Sequence, residues 1–301
     1  MIIDTPVVII FYNRPEKLKK LFLELKKFKP QKLFLISDGA KNKSDIEKIL
    51  KCRQLIEPNW KCKIYKNFSK RNLGCRKRVL TGLNWVFSKV DKAIIIEDDV
   101  IPSKDFFIFM KQLLVKYENN LNISSICSTN PLSESKNIKN SYFISKYFVG
   151  TGWATWKNRW NRTNHDLKFL SNLKNFYKLI KIFKSIRPAL YYRYMLYNIT
   201  RRKRDSWAIT WTIYNFINEK KHIIPKHNLV SNIGYDLEAT HRNNIPKIYK
   251  PYTEIKKKIF PLKYKINLNE LNKFEKEVED KVYSKSVLNR LSWFFDKLKY
   301  F

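Results

Sequence analysis

Glu97-Asp98-Asp99 sets three carboxylates in a row directly after the apolar run Ala93-Ile94-Ile95-Ile96. Adjacent carboxylates repel one another, and a hard divalent cation with oxygen ligands relieves that repulsion. In a chain with 61 Lys and Arg against 26 Asp and Glu, the triplet reads as a metal site ahead of a merely solvated strand end. Asp205 follows Arg201-Arg202-Lys203-Arg204. Taken alone it is an acid that pairs with its basic neighbours or caps a helix beginning near Trp207. Arg14 and Arg76 are candidates for phosphate or sugar contacts, and equally for solvated surface arginines. The segment Gly150-Thr151-Gly152-Trp153 uses two of only six glycines, which argues for close approach of backbone to a ligand or to another segment.

The elements that must position these groups follow from periodicity. Val7 to Phe11 is a short β-branched run broken by Asn13-Arg14-Pro15, and Leu18, Leu21, Phe22, Leu25 and Phe28 recur at helical spacing. A second strand runs from Lys32 to Ser37 into Asp38-Gly39, and Ser44 with Glu47 predicts a capping box. Ile64-Tyr65 suits a third strand, Val79 to Phe87 a helix, Ala93 to Ile96 a buried strand, and Ser103 caps the helix that follows. Strands alternating with helices predict an α/β fold, a mostly parallel sheet flanked by helices, and ligands in such sheets bind beyond the carboxyl ends of the strands. Asn13-Arg14, Asp38-Gly39 and Glu97-Asp98-Asp99 all stand at such ends.

The chain has 301 residues, and its 44% hydrophobic content excludes disorder. The formal charge of +35 implies an anionic partner: nucleic acid, an acidic membrane surface or a phosphorylated substrate. Cys52, Cys62, Cys75 and Cys127 form no CxxC pair, so they read as reduced thiols of a cytoplasmic protein. The N-terminus lacks the pattern of a signal peptide, and no run of apolar residues is long enough to span a membrane. From Lys157 to Arg204 there are fourteen Lys or Arg against one acid, Asp166, a net of +13 interleaved with aromatics. A helix is expected to stop near Arg187-Pro188, with another reaching about Tyr197. We divide the chain into a nucleotide-binding half (1–130), an acceptor half (131–245) and a basic tail (246–301) whose residues 287–301 suit an amphipathic helix.

The order of Val7 to Arg14, Ser37-Asp38-Gly39, Arg71-Asn72-Leu73-Gly74 and Ile94 to Asp99 resembles the nucleotide-sugar-binding half of GT-A glycosyltransferases. Gly150 to Trp156 and Arg204-Asp205-Ser206-Trp207 extend the likeness to N-acetylglucosaminyltransferase I-like and bacterial family 2-like members, over roughly residues 5 to 245. The resemblance implies that Asp99 ligates Mn²⁺ or Mg²⁺ on the donor diphosphate. Asp98 would attend the ribose or the metal's water shell, and Glu97 the donor sugar. Phe11, Asn13, Arg14, Asp38 and Asn72 would surround the nucleotide, with Asp38 on the uracil ring, and Arg76 would reach donor sugar or phosphate. Gly152 and Trp153 would wall the donor sugar or acceptor, and Asp205 would be the catalytic base. His241, after a turn at Ser231-Asn232-Ile233-Gly234, is a second metal candidate or a surface histidine. Asp236 and Glu238 rival Asp205.

The expected function is inverting, metal-dependent transfer from a nucleoside-diphosphate sugar, chiefly a UDP-sugar, to a glycan or lipid-linked glycan hydroxyl in surface polysaccharide synthesis. The basic second half would touch an anionic membrane from the cytoplasm. One alternative is a sugar-nucleotide pyrophosphorylase, which would want a glycine-rich phosphate loop after the first strand, where Tyr12-Asn13-Arg14-Pro15 has no glycine. Another is a non-enzymatic nucleic-acid or membrane-surface module. Nucleic acid is the lesser expectation, because no RNP-like, OB-like or helix-turn-helix pattern appears.

Overall fold

The computed structural model describes residues 2–135, 138–234, 251–252 and 258–284. Its centre is one eight-stranded sheet. In chain order the strands are β1 (Val7–Phe11), β2 (Lys32–Ser37), β3 (Lys63–Phe68), β4 (Lys92–Glu97), β6 (Ile123–Cys127), β7 (Tyr142–Ser145), β8 (Trp153–Trp156) and β9 (Lys221–Pro225). They lie in the order β3-β2-β1-β4-β8-β6-β9-β7. Four of the seven neighbour pairings are parallel, including all those among β1 to β4. The expected α/β sheet is therefore present, and it takes strands from both sides of residue 130.

Alternation of side chains along a strand decides which residues feed which core layer. Val7, Ile9 and Phe11 of β1 and Ile94 and Ile96 of β4 face one layer. There they meet α1 (Pro15–Phe28) and α4 (Lys104–Lys116). Val8, Ala93 and Ile95 face the other layer, against α3 (Cys75–Phe87) and α9 (Trp207–Ile217). A strand covered on both faces must be apolar throughout, as Ala93 to Ile96 is, and each large apolar side chain so buried contributes about 1.5–3 kcal/mol.

Between β8 and α9 lie α5 (Lys157–Trp160), α6 (Leu167–Ser171), α7 (Leu173–Phe183) and α8 (Ile186–Thr200). The helix stop falls at Lys184, whose φ of 50° ends α7, and not at Pro188. Pro188 occupies the first turn of α8, where a missing N–H costs nothing. Ser103 caps α4 as expected, accepting from Phe106 N–H at 3.1 Å. For α2 (Lys43–Gln54) the expected Ser44–Glu47 box is replaced by Asn42, whose side chain accepts from Asp45 N–H, while Glu47 pairs with Lys51. The expected turn at Ser231 is instead part of β10 (Val230–Asn232), antiparallel to β5 (Val100–Pro102). This ribbon brings Ile233 N–H to the Asp99 carbonyl at 2.8 Å. A later helix, α10 (Leu268–Val278), packs Phe274 on Phe143 of β7. Asp236, Glu238, His241 and the stretch 287–301 lie outside the described residues.

Candidate active site

Because β1, β2 and β4 are parallel neighbours, their carboxyl ends open on one edge, and the expected polar groups gather there. Arg14, at the start of α1, reaches both acids after β4. Its Nη2 stands 3.1 Å from Asp98 Oδ1 and its Nη1 donates to Asp99 Oδ2 at 2.9 Å. Asp98 is almost wholly enclosed and also accepts Tyr12 N–H at 3.3 Å. Burial disfavours the charge on Arg14, but Asp98 and Asp99 outweigh it and hold the guanidinium ionised. Burial, then repulsion from Asp99 and Asp98, pushes the Glu97 carboxyl well above the usual range, against the pull of Arg14 and the Trp207 indole. With Glu97 pushed toward its neutral form, the guanidinium faces the carboxylates of Asp98 and Asp99.

Asp38 lies at the end of β2 and is buried. Its Oδ1 accepts from Gly39 and Leu73 N–H and its Oδ2 from Leu73 and Gly74 N–H, all within 2.9–3.1 Å. These amides make the carboxylate the anchor of the 69–74 loop. Asn72 projects from that loop and donates to Gly39 O at 2.8 Å and Tyr12 Oη at 3.3 Å.

Asp205, between α8 and α9, is delivered to the start of α3. Its Oδ1 accepts Arg76 N–H at 2.9 Å, from a residue 129 positions away. Gly74, with φ of 78°, is the α3 N-cap, and a Cβ there would sit 2.4 Å from Asp205 Oδ2. The helix that Asp205 caps is α3, not the one beginning at Trp207. Asp205 is exposed, and one oxygen of its carboxylate is anchored. Cys75, exposed at the first position of α3, has its thiol pushed up by desolvation and then by Glu97, Asp205 and Asp38. Arg76 Nη2 turns away to the His165 carbonyl at 2.6 Å.

Other expected residues sit elsewhere. Trp153 is 1% exposed, stacked on Trp207 at 5.1 Å between centroids and tilted against Trp211, so it is core and offers no wall to a sugar. Phe11 is buried against Phe68. Asn13 donates to Asp45 Oδ1 at 2.7 Å, which ties it to α2. Gly152 has a φ of 62° beside Ser128, in the turn before β8. Sequence reasoning missed Asp45, which also accepts the Tyr12 hydroxyl at 2.7 Å and so fixes the loop after β1. It missed Cys75 and the contact of the Trp207 indole with Glu97. An acid in the first turn of α2 was the one visible signal for Asp45.

The donor set around Asp99 is all oxygen, which suits a hard cation such as Mg²⁺ or Mn²⁺. Asp98 Oδ1 is buried and makes no hydrogen bond, only the ion pair to Arg14. Among the described residues no three His, Cys, Asp or Glu side chains gather to hold an ion by themselves.

No family model and no curated protein matches this chain. Among solved structures, UDP-glucose pyrophosphorylase complexed with UDP-glucose aligns over 75% of this chain and 91% of its own, at TM-score 0.38 and 11% identity. Mannosyltransferase PcManGT from Pyrobaculum calidifontis, in complex with GDP-Man and Mn²⁺, aligns over 73% and 70%, at TM-score 0.40 and 9% identity. 4-Diphosphocytidyl-2C-methyl-D-erythritolsynthase from Anaerococcus prevotii aligns over 56% and 78%, at TM-score 0.33 and 13% identity. At such scores none of these likenesses says what this chain does.

Proposed function

We propose that the chain is a glycosyltransferase that moves a sugar from a nucleoside-diphosphate donor, with UDP as the leading nucleotide, onto a hydroxyl of a glycan or lipid-linked glycan. The reading is carried by two acidic groups near the start of α3, Glu97-Asp98-Asp99 with Arg14 at the end of β4 and Asp205 on the Arg76 amide, since Glu97 and Asp205 both act on the Cys75 thiol. Asp99 would hold the divalent ion. A bound Mn²⁺ or Mg²⁺ neutralises charge on the leaving diphosphate. Arg14 adds a fixed positive charge beside it, and Asp38 keeps the 69–74 loop in place as one wall. Asp205, anchored by one oxygen, takes the proton of the attacking hydroxyl, and attack opposite the diphosphate inverts the anomeric centre.

The loop after β1 favours transfer over the pyrophosphorylase alternative. It has no glycine, Tyr12 N–H is given to Asp98, and the Tyr12 and Asn13 side chains are tied to Asp45. A glycine-rich loop lets backbone approach a triphosphate closely, and this loop has no glycine. The test is incubation with UDP-glucose, UDP-N-acetylglucosamine or GDP-mannose and Mn²⁺, with and without pyrophosphate. Release of nucleoside diphosphate, with metal-dependent thermal stabilisation lost in Asp99→Asn, supports the reading. Nucleoside triphosphate formed only with pyrophosphate assigns the alternative, and no thermal shift with any nucleotide sinks both.

A further inference from the structure

The second half of the chain holds a surface that sugar transfer at Asp99 and Asp205 does not use. Helix α7 advances 100° per residue, so Asn175, Leu179 and Phe183 turn inward, and they are buried. The opposite face carries Leu173, Lys174, Tyr177, Lys178 and Lys181, all exposed. Leu173 is 63% and Tyr177 68% exposed, one helical turn apart. Two large apolar groups flanked by three lysines, with no acid anywhere from Leu167 to Arg204, is not the composition of an ordinary solvated face. The adjoining start of α8 repeats it with exposed Ile186 and Arg187.

We propose that the outer face of α7 docks the protein on the surface of a bilayer containing anionic lipid. Charge complementarity selects that occupant. Fourteen cations against one acid in residues 157–204 repel a second copy of a +35 chain. They also repel residues 285–301, which carry four Lys or Arg against Asp296. A leaflet with anionic headgroups attracts them. The side-chain types fit the depth profile of an interface: Leu173 enters the acyl boundary, Tyr177 sits at headgroup level, and the lysine stems lie along apolar surface with their ammonium groups on phosphate. Leu173 separates this reading from nucleic acid, which would be met by stacking aromatics and phosphate-pairing cations and gains nothing from an exposed leucine. Among the described residues no helix is long and apolar enough to cross a membrane, so contact through α7 is peripheral.

The experiment is sedimentation of the full chain with vesicles of phosphatidylcholine alone and with about a third phosphatidylglycerol, at physiological salt. Wild type is expected to bind only the anionic vesicles. Lys174→Ala/Lys178→Ala/Lys181→Ala is expected to weaken that binding roughly a hundredfold, since each cation near an anionic leaflet contributes about fivefold. Leu173→Ala/Tyr177→Ala is expected to lose about tenfold while keeping the charge. All five side chains are exposed, so an unchanged melting temperature shows that the variants are folded. Equal binding to both vesicle types, or a triple variant that binds as wild type does, overturns the proposal. So does a variant that loses affinity for a single-stranded RNA oligonucleotide and not for vesicles, because the face would then belong to nucleic acid. None of these outcomes bears on the chemistry at Asp205, so the docking face and the transferase reading fail separately.

Discussion

Arg14 Nη1 donates to Asp99 Oδ2 at 2.9 Å and so ties the exit of β1 to the exit of β4 across 85 positions. The same guanidinium reaches Asp98, whose side chain is only 2% exposed. The pair sets the electrostatics of the crevice: it neutralises part of an acidic cluster and leaves the remainder for a cation or an anchored hydroxyl donor.

Removing Arg14 should therefore be costly even without ligand. Arg14→Met leaves Asp98 buried without its counter-charge, and breaking such a pair costs about 3–5 kcal/mol. Urea unfolding measures it, and Asp98→Asn added to Arg14→Met should recover part of the loss. A single-variant loss below about 1 kcal/mol would show that the pair is solvated and weak.

Asp205 has a capping role and a proposed catalytic role, and two substitutions separate them. Asn keeps an oxygen for Arg76 N–H, so Asp205→Asn should melt like wild type and lose about 10²–10⁴-fold in turnover. Asp205→Ala should in addition lose about 1 kcal/mol of stability, because α3 loses its acceptor. Retained turnover in Asp205→Asn would remove it as the base.

Asp38 is expected to act through its loop. Asp38→Asn turns an NH₂ group toward backbone N–H donors, and each donor left unpaired costs about 1–3 kcal/mol. Hydrogen exchange should accelerate at the Leu73 and Gly74 amides, and nucleotide-sugar binding should weaken with it. Unchanged protection at these amides would show that other contacts hold the loop.

Acid stability should follow the buried His222 and the partly buried His165. His222 is fully buried with Nδ1 2.7 Å from Ser125 Oγ, and burial lowers it from 6.5 to about 3. His165, 2.8 Å from Thr210 Oγ1, is lowered to about 4 by burial and then by Arg76. Below pH 6.5 the unfolded chain takes up protons that the native chain refuses, so stability is full above that pH and lost as pH falls toward 4. Each group contributes a slope of up to about 1.4 kcal/mol per pH unit. His222→Asn and His165→Asn should each flatten the fall of melting temperature in this window, and a slope unchanged in both variants would place the titrating groups elsewhere.

The strands and most helices were legible because their signals are local. The apolar run Val7 to Phe11, the helical spacing from Leu18 to Phe28 and Ser103 ahead of α4 are patterns a few residues long, and side-chain period alone converts them into elements. The helix stop at Lys184 was not legible, since a left-handed lysine carries no residue-type signal, whereas Pro188 looked like a breaker and fits a first turn. The Ser231 turn was misread because β10 is three residues long and exists only by pairing with β5.

By itself, the sequence determined the α/β alternation, the edge on which Arg14, Asp38 and Glu97-Asp98-Asp99 gather, and the basic face of the second half. Only the tertiary structure decided what each of these side chains touches. Topology carries Asp205 to the start of α3, directs Asp38 onto amides at 73 and 74, closes Arg14 over two acids, and folds Trp153 into a stack with Trp207. The reason is one of range: periodicity and capping act over a turn or two of chain. Contacts between residues 35 to 129 positions apart are set instead by how layers pack and how strands register, and no local pattern encodes them.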